Sequence, residues 1–166
     1  MKKKLNLTRI FISGFLATAI MTAIIYLLPL LGIAKLDYAA LMGSLLTGHF
    51  TPIFSEGWWV GLTSHFIFGT IIFPLAYVYF LYPILYSRPV IRGLAYGACL
   101  WLVVEIVVAP ALGMGLFSQY LPDTSMILFE NLIAHLAYGG VLGTSIAYSA
   151  FKELPVYIEH IEKRAA

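Results

Sequence analysis

Trp58-Trp59-Val60-Gly61-Leu62-Thr63-Ser64-His65-Phe66-Ile67-Phe68-Gly69, running on through Pro74 to Tyr77, is the stretch whose reading decides the fold. Continued to Leu85 it is a membrane span, since at about 1.5 Å per residue it crosses a hydrocarbon core of about 30 Å. Trp58 and Trp59 at its start, and Tyr77, Tyr79, Tyr82 and Tyr86 toward its end, are the aromatic anchors expected at the two interfaces. Its one ionisable side chain, His65, is flanked a helical turn away by Gly61 and Gly69. The composition of the whole chain agrees: 61% of its 166 residues are hydrophobic and 11% charged, and its mean hydropathy is +0.90. A soluble domain carries about a quarter charged residues, so a soluble globular protein is excluded and the bilayer itself is the first partner. Nothing in the charge pattern points to nucleic acid. The single cysteine, Cys99, lies in an apolar run, forms no intramolecular disulfide, and reads as a small buried hydrophobe.

Outward from that span, Met1 to Arg9 is a basic leader followed by an apolar stretch to Leu31. The stretch is far longer than the roughly 7–15 residues of a cleavable signal, so it is a retained span over residues 10–32, closed by Pro29 and Gly32. Residues 33–56 are too polar to cross. Within them Asp37 is an N-cap, and Tyr38, Leu41, Met42, Leu45 and Leu46 fall on one helical face opposite Ala, Gly, Ser and Thr. An amphipathic helix is therefore expected over 37–48, at the interface or capping the bundle. The remaining spans are expected at 57–85, with Pro74 kinking it, and at 93–115 and 125–151. A charged tail, 152–166, breaks at Pro155 and reads as a solvated surface, with a short helix over Val156 to Arg164. The fold class is thus an all-α, polytopic four-helix membrane bundle in one integral domain, with a short interfacial helix.

Lys2, Lys3, Lys4, Arg9, Arg88, Arg92, Lys152, Lys163 and Arg164 fall on one side of these spans, and only Lys35 on the other. The positive-inside rule then places both termini and the 86–92 turn in the cytoplasm, which makes this a multi-pass protein of the cytoplasmic membrane. The spans also repeat. Gly14-Phe15-Leu16-Ala17 and Pro29-Leu30-Leu31-Gly32 of the first match Gly93-Leu94-Ala95-Tyr96 and Pro110-Ala111-Leu112-Gly113 of the third. His65 and Gly69 of the second match His135 and Gly139 of the fourth, which ends in Ile146-Ala147-Tyr148 as the second does in Leu75-Ala76-Tyr77. Two duplicated hairpins of equal topology imply a pseudo-two-fold axis along the membrane normal.

Taken together, Gly14 to Ala19, the Asp37 to Leu46 segment, Gly57-Trp58 with His65-Phe66 and Gly69, Arg92-Gly93-Leu94 with Trp101, and His135 with Gly139 give the chain its likeness. It resembles a bacterial family of small four-span membrane proteins catalogued as a domain of unknown function. The resemblance covers nearly the whole chain, implies the same topology in a bacterial inner membrane, and supplies no catalytic residues.

The polar residues inside the spans carry whatever chemistry there is. A carboxylate at mid-bilayer costs about 2.5–3.5 kcal/mol on insertion scales, so Glu105 is expected to face the bundle interior, paired or protonated. Counting residues puts His65 roughly 12 Å and His135 roughly 15 Å below the outer boundary, and Glu105 roughly 18 Å above the inner one. These form one layer, which Asn131, a turn before His135, and Tyr26, the duplicate of Glu105, would complete. Three readings stay open. The layer locks the helices together, in an accessory or structural subunit that packs against a larger electron-transfer or respiratory complex, or against its own copies. Alternatively His65 and His135 are the axial ligands of a b-type haem, in an electron carrier. In the third reading His65, Glu105 and His135 line a quinone or proton site or a substrate path. Apart from haem iron no metal site is expected, because there is no Glu-x-x-His pair and no Cys cluster, and no catalytic motif is present. Glu130, near the outer surface, is expected to face solvent or an interface, and His49 and His160 to be exposed.

Overall fold

The computed structural model describes residues 6–33, 36–85 and 87–148. Lys2, Lys3, Lys4, Lys35, Tyr86 and the whole tail, with His160 and the expected Val156–Arg164 helix, lie outside the described residues. Those described form four helices long and apolar enough to cross a membrane: α1 (Leu7–Leu31), α3 (Glu56–Leu81), α4 (Pro89–Ala111) and α5 (Thr124–Ile146). A shorter apolar helix, α2 (Tyr38–Thr47), precedes α3. No strand occurs among the described residues. The chain is a helical membrane bundle.

Local chemistry sets the helix ends. The Asn6 side chain caps α1 by accepting from the Arg9 N–H at 3.2 Å, and Pro29 tightens its last turn into a 3-10 helix. Asp37 caps α2, accepting from the Ala40 N–H at 3.0 Å, and Gly48 closes it in the left-handed region at φ 76°. Ser55 caps α3 at the Trp58 N–H. Pro89 opens α4 in the first turn, where its missing N–H is harmless; α4 therefore begins ahead of the expected Gly93.

Small residues decide which helices pack. A Cβ on Gly93 would strike the Gly139 carbonyl, and one on Gly97 the carbonyl of His135, so α4 and α5 lie backbone to backbone. The first half repeats this contact. Gly14 of α1 abuts Gly69, Thr70 and Pro74 of α3, and Thr18 covers Gly69 as Gly97 covers Gly139. Hence Gly14/Thr18 on Gly69 and Gly93/Gly97 on Gly139 are equivalent, as the duplication requires. Between the halves α1 packs on α5, where Ser145 Oγ donates to Ser13 Oγ at 2.8 Å. The spans run round the bundle as α3, α1, α5, α4, and the ring is loosely closed between α4 and α3. There the tilted rings of Tyr77 and Tyr96 pack with centroids 5.3 Å apart, and the Tyr96 hydroxyl donates to the Phe73 carbonyl at 2.8 Å.

Helix α2 departs from a simple amphipathic strip. Its small face is buried on α3, with Gly43 on Gly57 and Ala39 on Gly61. Its apolar face, Leu41, Met42, Leu45 and Leu46, turns over the bundle end. It caps the bundle through both faces. Cys99 is exposed on the lipid-facing surface of α4, against the expectation of burial; in a bilayer an apolar side chain gains nothing by turning inward, so hydropathy alone does not predict its direction.

Candidate polar cavity

Two prolines shape the walls of the site. In α3 the Phe73 N–H bonds to the Phe68 carbonyl, five residues back, in a π turn over Phe68–Ile72. The Gly69 carbonyl thereby loses its usual donor, and the next residue, Pro74, has no N–H to replace it. The Tyr138 hydroxyl of α5 fills the vacancy at 2.7 Å. The same arrangement recurs in α4, where the Ala109 N–H bonds to Val104 across the π turn Val104–Val108, just ahead of Pro110. A π turn adds one residue to a helix. It accounts for one of the two extra residues between Gly93 and Pro110 relative to Gly14 and Pro29, and it carries Glu105 on the inner face.

Glu105 is fully buried. Its Oε1 accepts from Asn131 Nδ2 of α5 at 2.5 Å, and its Oε2 accepts from Ser118 Oγ, in the loop after α4, at 3.0 Å. To deliver that hydroxyl, Phe117 and Ser118 adopt φ of 51° and 53°, left-handed conformations that cost non-glycine residues about 1–3 kcal/mol each. The Asn131 backbone continues the chain, its carbonyl accepting from His135 Nδ1 at 2.8 Å. His65 lies across the bundle, with Nε2 3.1 Å from Thr22 Oγ1 of α1.

Tyr26 is placed elsewhere. Its hydroxyl donates to Asp37 Oδ1 at 3.2 Å, and the Trp58 indole N–H reaches the same carboxylate at 2.9 Å. Tyr26 therefore builds a second cluster rather than completing the Glu105 layer. The two clusters are counterparts: each half has one carboxylate that receives a hydroxyl and an N–H, but it stands on the loop in the first half and on the span in the second. Glu130, expected to face solvent or an interface, is also fully buried. It faces the Tyr38 hydroxyl of α2. The capping helix, which a residue count along α5 leaves out, is what covers it. Burial, then the neighbouring Glu130 and Glu105 carboxyls, push the Tyr38 phenol well above its usual range. His49 is exposed, as expected.

His65, Glu105, Asn131 and His135 share one cavity of about 340 Å³ beneath α2. Its walls are mostly apolar, with Met21 and Ile25 from α1, Phe68 and Phe73 from α3, and Leu100 and Val104 from α4. Phe68 of α3 and Val103 of α4, which also border it, are 42% and 52% exposed. Among the described residues no group of three or more His, Cys, Asp or Glu is placed to hold a metal ion. Ser118, Thr22 and Tyr138 were not singled out from the sequence. A tyrosine three residues after His135 was the one legible signal, since it shares that helical face. No curated protein and no solved structure matches this chain. Residues 6–154 match a family described as of unknown function, DUF6789, and the chain belongs to that family.

Proposed function

We propose that this protein binds a lipophilic small molecule of the quinone or isoprenoid kind within the membrane, in the cavity lined by His65, Glu105, Asn131 and His135. One observation carries the reading: an apolar cavity of about 340 Å³ on which polar groups from several helices converge, bordered by residues that face lipid. Ligand sites of small molecules have this character, about 300–1,000 Å³ of apolar wall with a few directed polar groups. A molecule dissolved in the bilayer enters between α4 and α3 without crossing water. The segments outside the spans are short among the described residues. That supports an accessory role, in which the molecule passes to or from a larger membrane assembly such as an electron-transfer complex of the inner membrane.

The test is saturable binding of an alkylphenol or alkylquinone to the full chain in lipid nanodiscs, read as a rise in unfolding temperature. Stabilisation grows as RT ln(1 + [L]/Kd) and reaches about 2.7 kcal/mol at a hundredfold excess over Kd. Leu100→Trp, which fills the cavity from α4, should abolish the rise while leaving the ligand-free transition in place. A rise that survives the filling substitution would place binding elsewhere and remove the reading.

The shared cavity of His65 and His135 also favours a second chemistry, haem ligation by the two imidazoles. His135 Nε2 is free for it, but His65 must surrender its contact with Thr22 or ligate through Nδ1. An oxidised-minus-reduced spectrum showing a b-type band lost in His65→Ala and His135→Ala supports that reading, and a colourless protein removes it.

A further inference from the structure

The hydrogen positions around the cavity follow from the hydrogen-bond chain, and they restrict what the cavity accepts. A carbonyl can only accept, so the 2.8 Å contact between His135 Nδ1 and the Asn131 carbonyl puts the ring hydrogen on Nδ1. His135 Nε2 is then a lone pair. On the other side Thr22 Oγ1 gives its single hydrogen to the Thr18 carbonyl at 2.8 Å. It can therefore only accept from His65 Nε2, which carries the ring hydrogen and leaves a lone pair on His65 Nδ1.

The other polar side chains of the wall have also committed their hydrogens. Thr18 donates to the Gly14 carbonyl, Tyr138 to the Gly69 carbonyl, and Ser118 to Glu105. Asn131 gives one amide hydrogen to Glu105, and its remaining one is matched by its own Oδ1 acceptor. Tyr38 also borders the cavity, and its hydroxyl is turned on the Glu130 carboxyl, an acceptor for its hydrogen. What the two imidazoles leave over is acceptors.

Resting on the lipophilic-ligand reading above, we infer that the cavity selects a molecule carrying a hydrogen-bond donor: a phenol, quinol or isoprenoid alcohol in preference to the quinone or ether of the same shape. The donor goes to His135 Nε2. A carbonyl or ether oxygen brought there would set acceptor against acceptor within mostly apolar walls. Sites built around one hydrogen-bonding role discriminate strongly against the analogue that lacks it, because the buried partner is left unpaired.

The experiment compares 4-octylphenol with 4-octylanisole, its methyl ether, on the full chain in nanodiscs at matched concentration in the bilayer. The account expects the phenol to bind about tenfold tighter or better. It expects His135→Phe to bring the phenol down to the affinity of the ether while leaving the ether unchanged. Equal binding of the two probes overturns the donor rule and leaves the cavity reading standing; binding of neither removes both. Should His135→Phe fail to fold, ¹⁵N spectra of histidine-labelled wild type decide instead. They should show His135 as the Nδ1–H form and His65 as the Nε2–H form, and an Nε2–H form of His135 overturns the inference.

Discussion

Asn131 donates to Glu105 through its side chain and accepts from His135 Nδ1 through its backbone carbonyl, so one residue joins the carboxyl to the imidazole. Glu105→Leu strips the acceptor from both Asn131 Nδ2 and Ser118 Oγ. Leaving buried donors unpaired costs about 1–3 kcal/mol, and unfolding in mixed micelles should show that loss, with a smaller one for Glu105→Gln, which keeps an acceptor. Asp37→Ala removes the cap of α2 together with the acceptor for Trp58 and Tyr26. It should cost about 1 kcal/mol from the cap alone and shift Trp58 fluorescence to the red as the indole N–H turns to water. Glu105 was legible in the sequence because a carboxyl inside a span is expensive wherever it sits. Its partner Ser118 was not, since the loop reaches Glu105 only through backbone conformations that no spacing reveals. Tyr26 was matched to Glu105 by register, but its hydroxyl goes to Asp37, which lies within reach.

Helix α4 reads Gly93 and Gly97 a turn apart, and α5 reads Gly139 and Gly143; what they share is that a methyl group on any of them meets backbone. Gly140 differs, because its Cβ would make ordinary contact with Leu94 at 3.5 Å. Gly93→Ala should therefore destabilise the bundle by about 1–3 kcal/mol, as overpacking does. Gly140→Ala should be neutral or slightly stabilising through helix propensity, and thermal unfolding of the pair checks the contrast. Tyr138→Phe deprives the Gly69 carbonyl of its donor, at a cost of about 0.6–1.7 kcal/mol for an interhelical bond in a membrane. The four spans and the capping helix were legible from hydropathy, aromatic anchors, prolines and the Asp37 cap. The π turns were not, because nothing in the residue types ahead of Pro74 and Pro110 distinguishes a widened turn from a kink. The small face of α2 is a packing face, since glycine and alanine serve close approach as readily as exposure.

The whole bundle is two hairpins joined through α1 and α5, and the side they leave loosely closed, between α4 and α3, is where the proposed ligand would enter. The duplication predicted equivalent glycine contacts in the two halves, and they are present. A cavity at their junction was beyond the sequence, because it depends on which pair of spans fails to pack. The basic residues Arg9, Arg88 and Arg92 belong to the end opposite α2. Single cysteines at Ser87 and Ile53, in a Cys99→Ala background, should label from opposite faces of inside-out and right-side-out vesicles, with Ser87 on the cytoplasmic side. Photolabelling tests the central claim, ligand binding in the cavity, most directly: 4-octylphenol bearing a diazirine on its chain, crosslinked in nanodiscs and mapped by peptide mass spectrometry. The account predicts labels on cavity residues such as Met21, Leu100 and Val104, displaced by excess 4-octylphenol. Labels confined to the lipid-facing surface at Ile12, Phe80 or Val107, and not displaced, would contradict it.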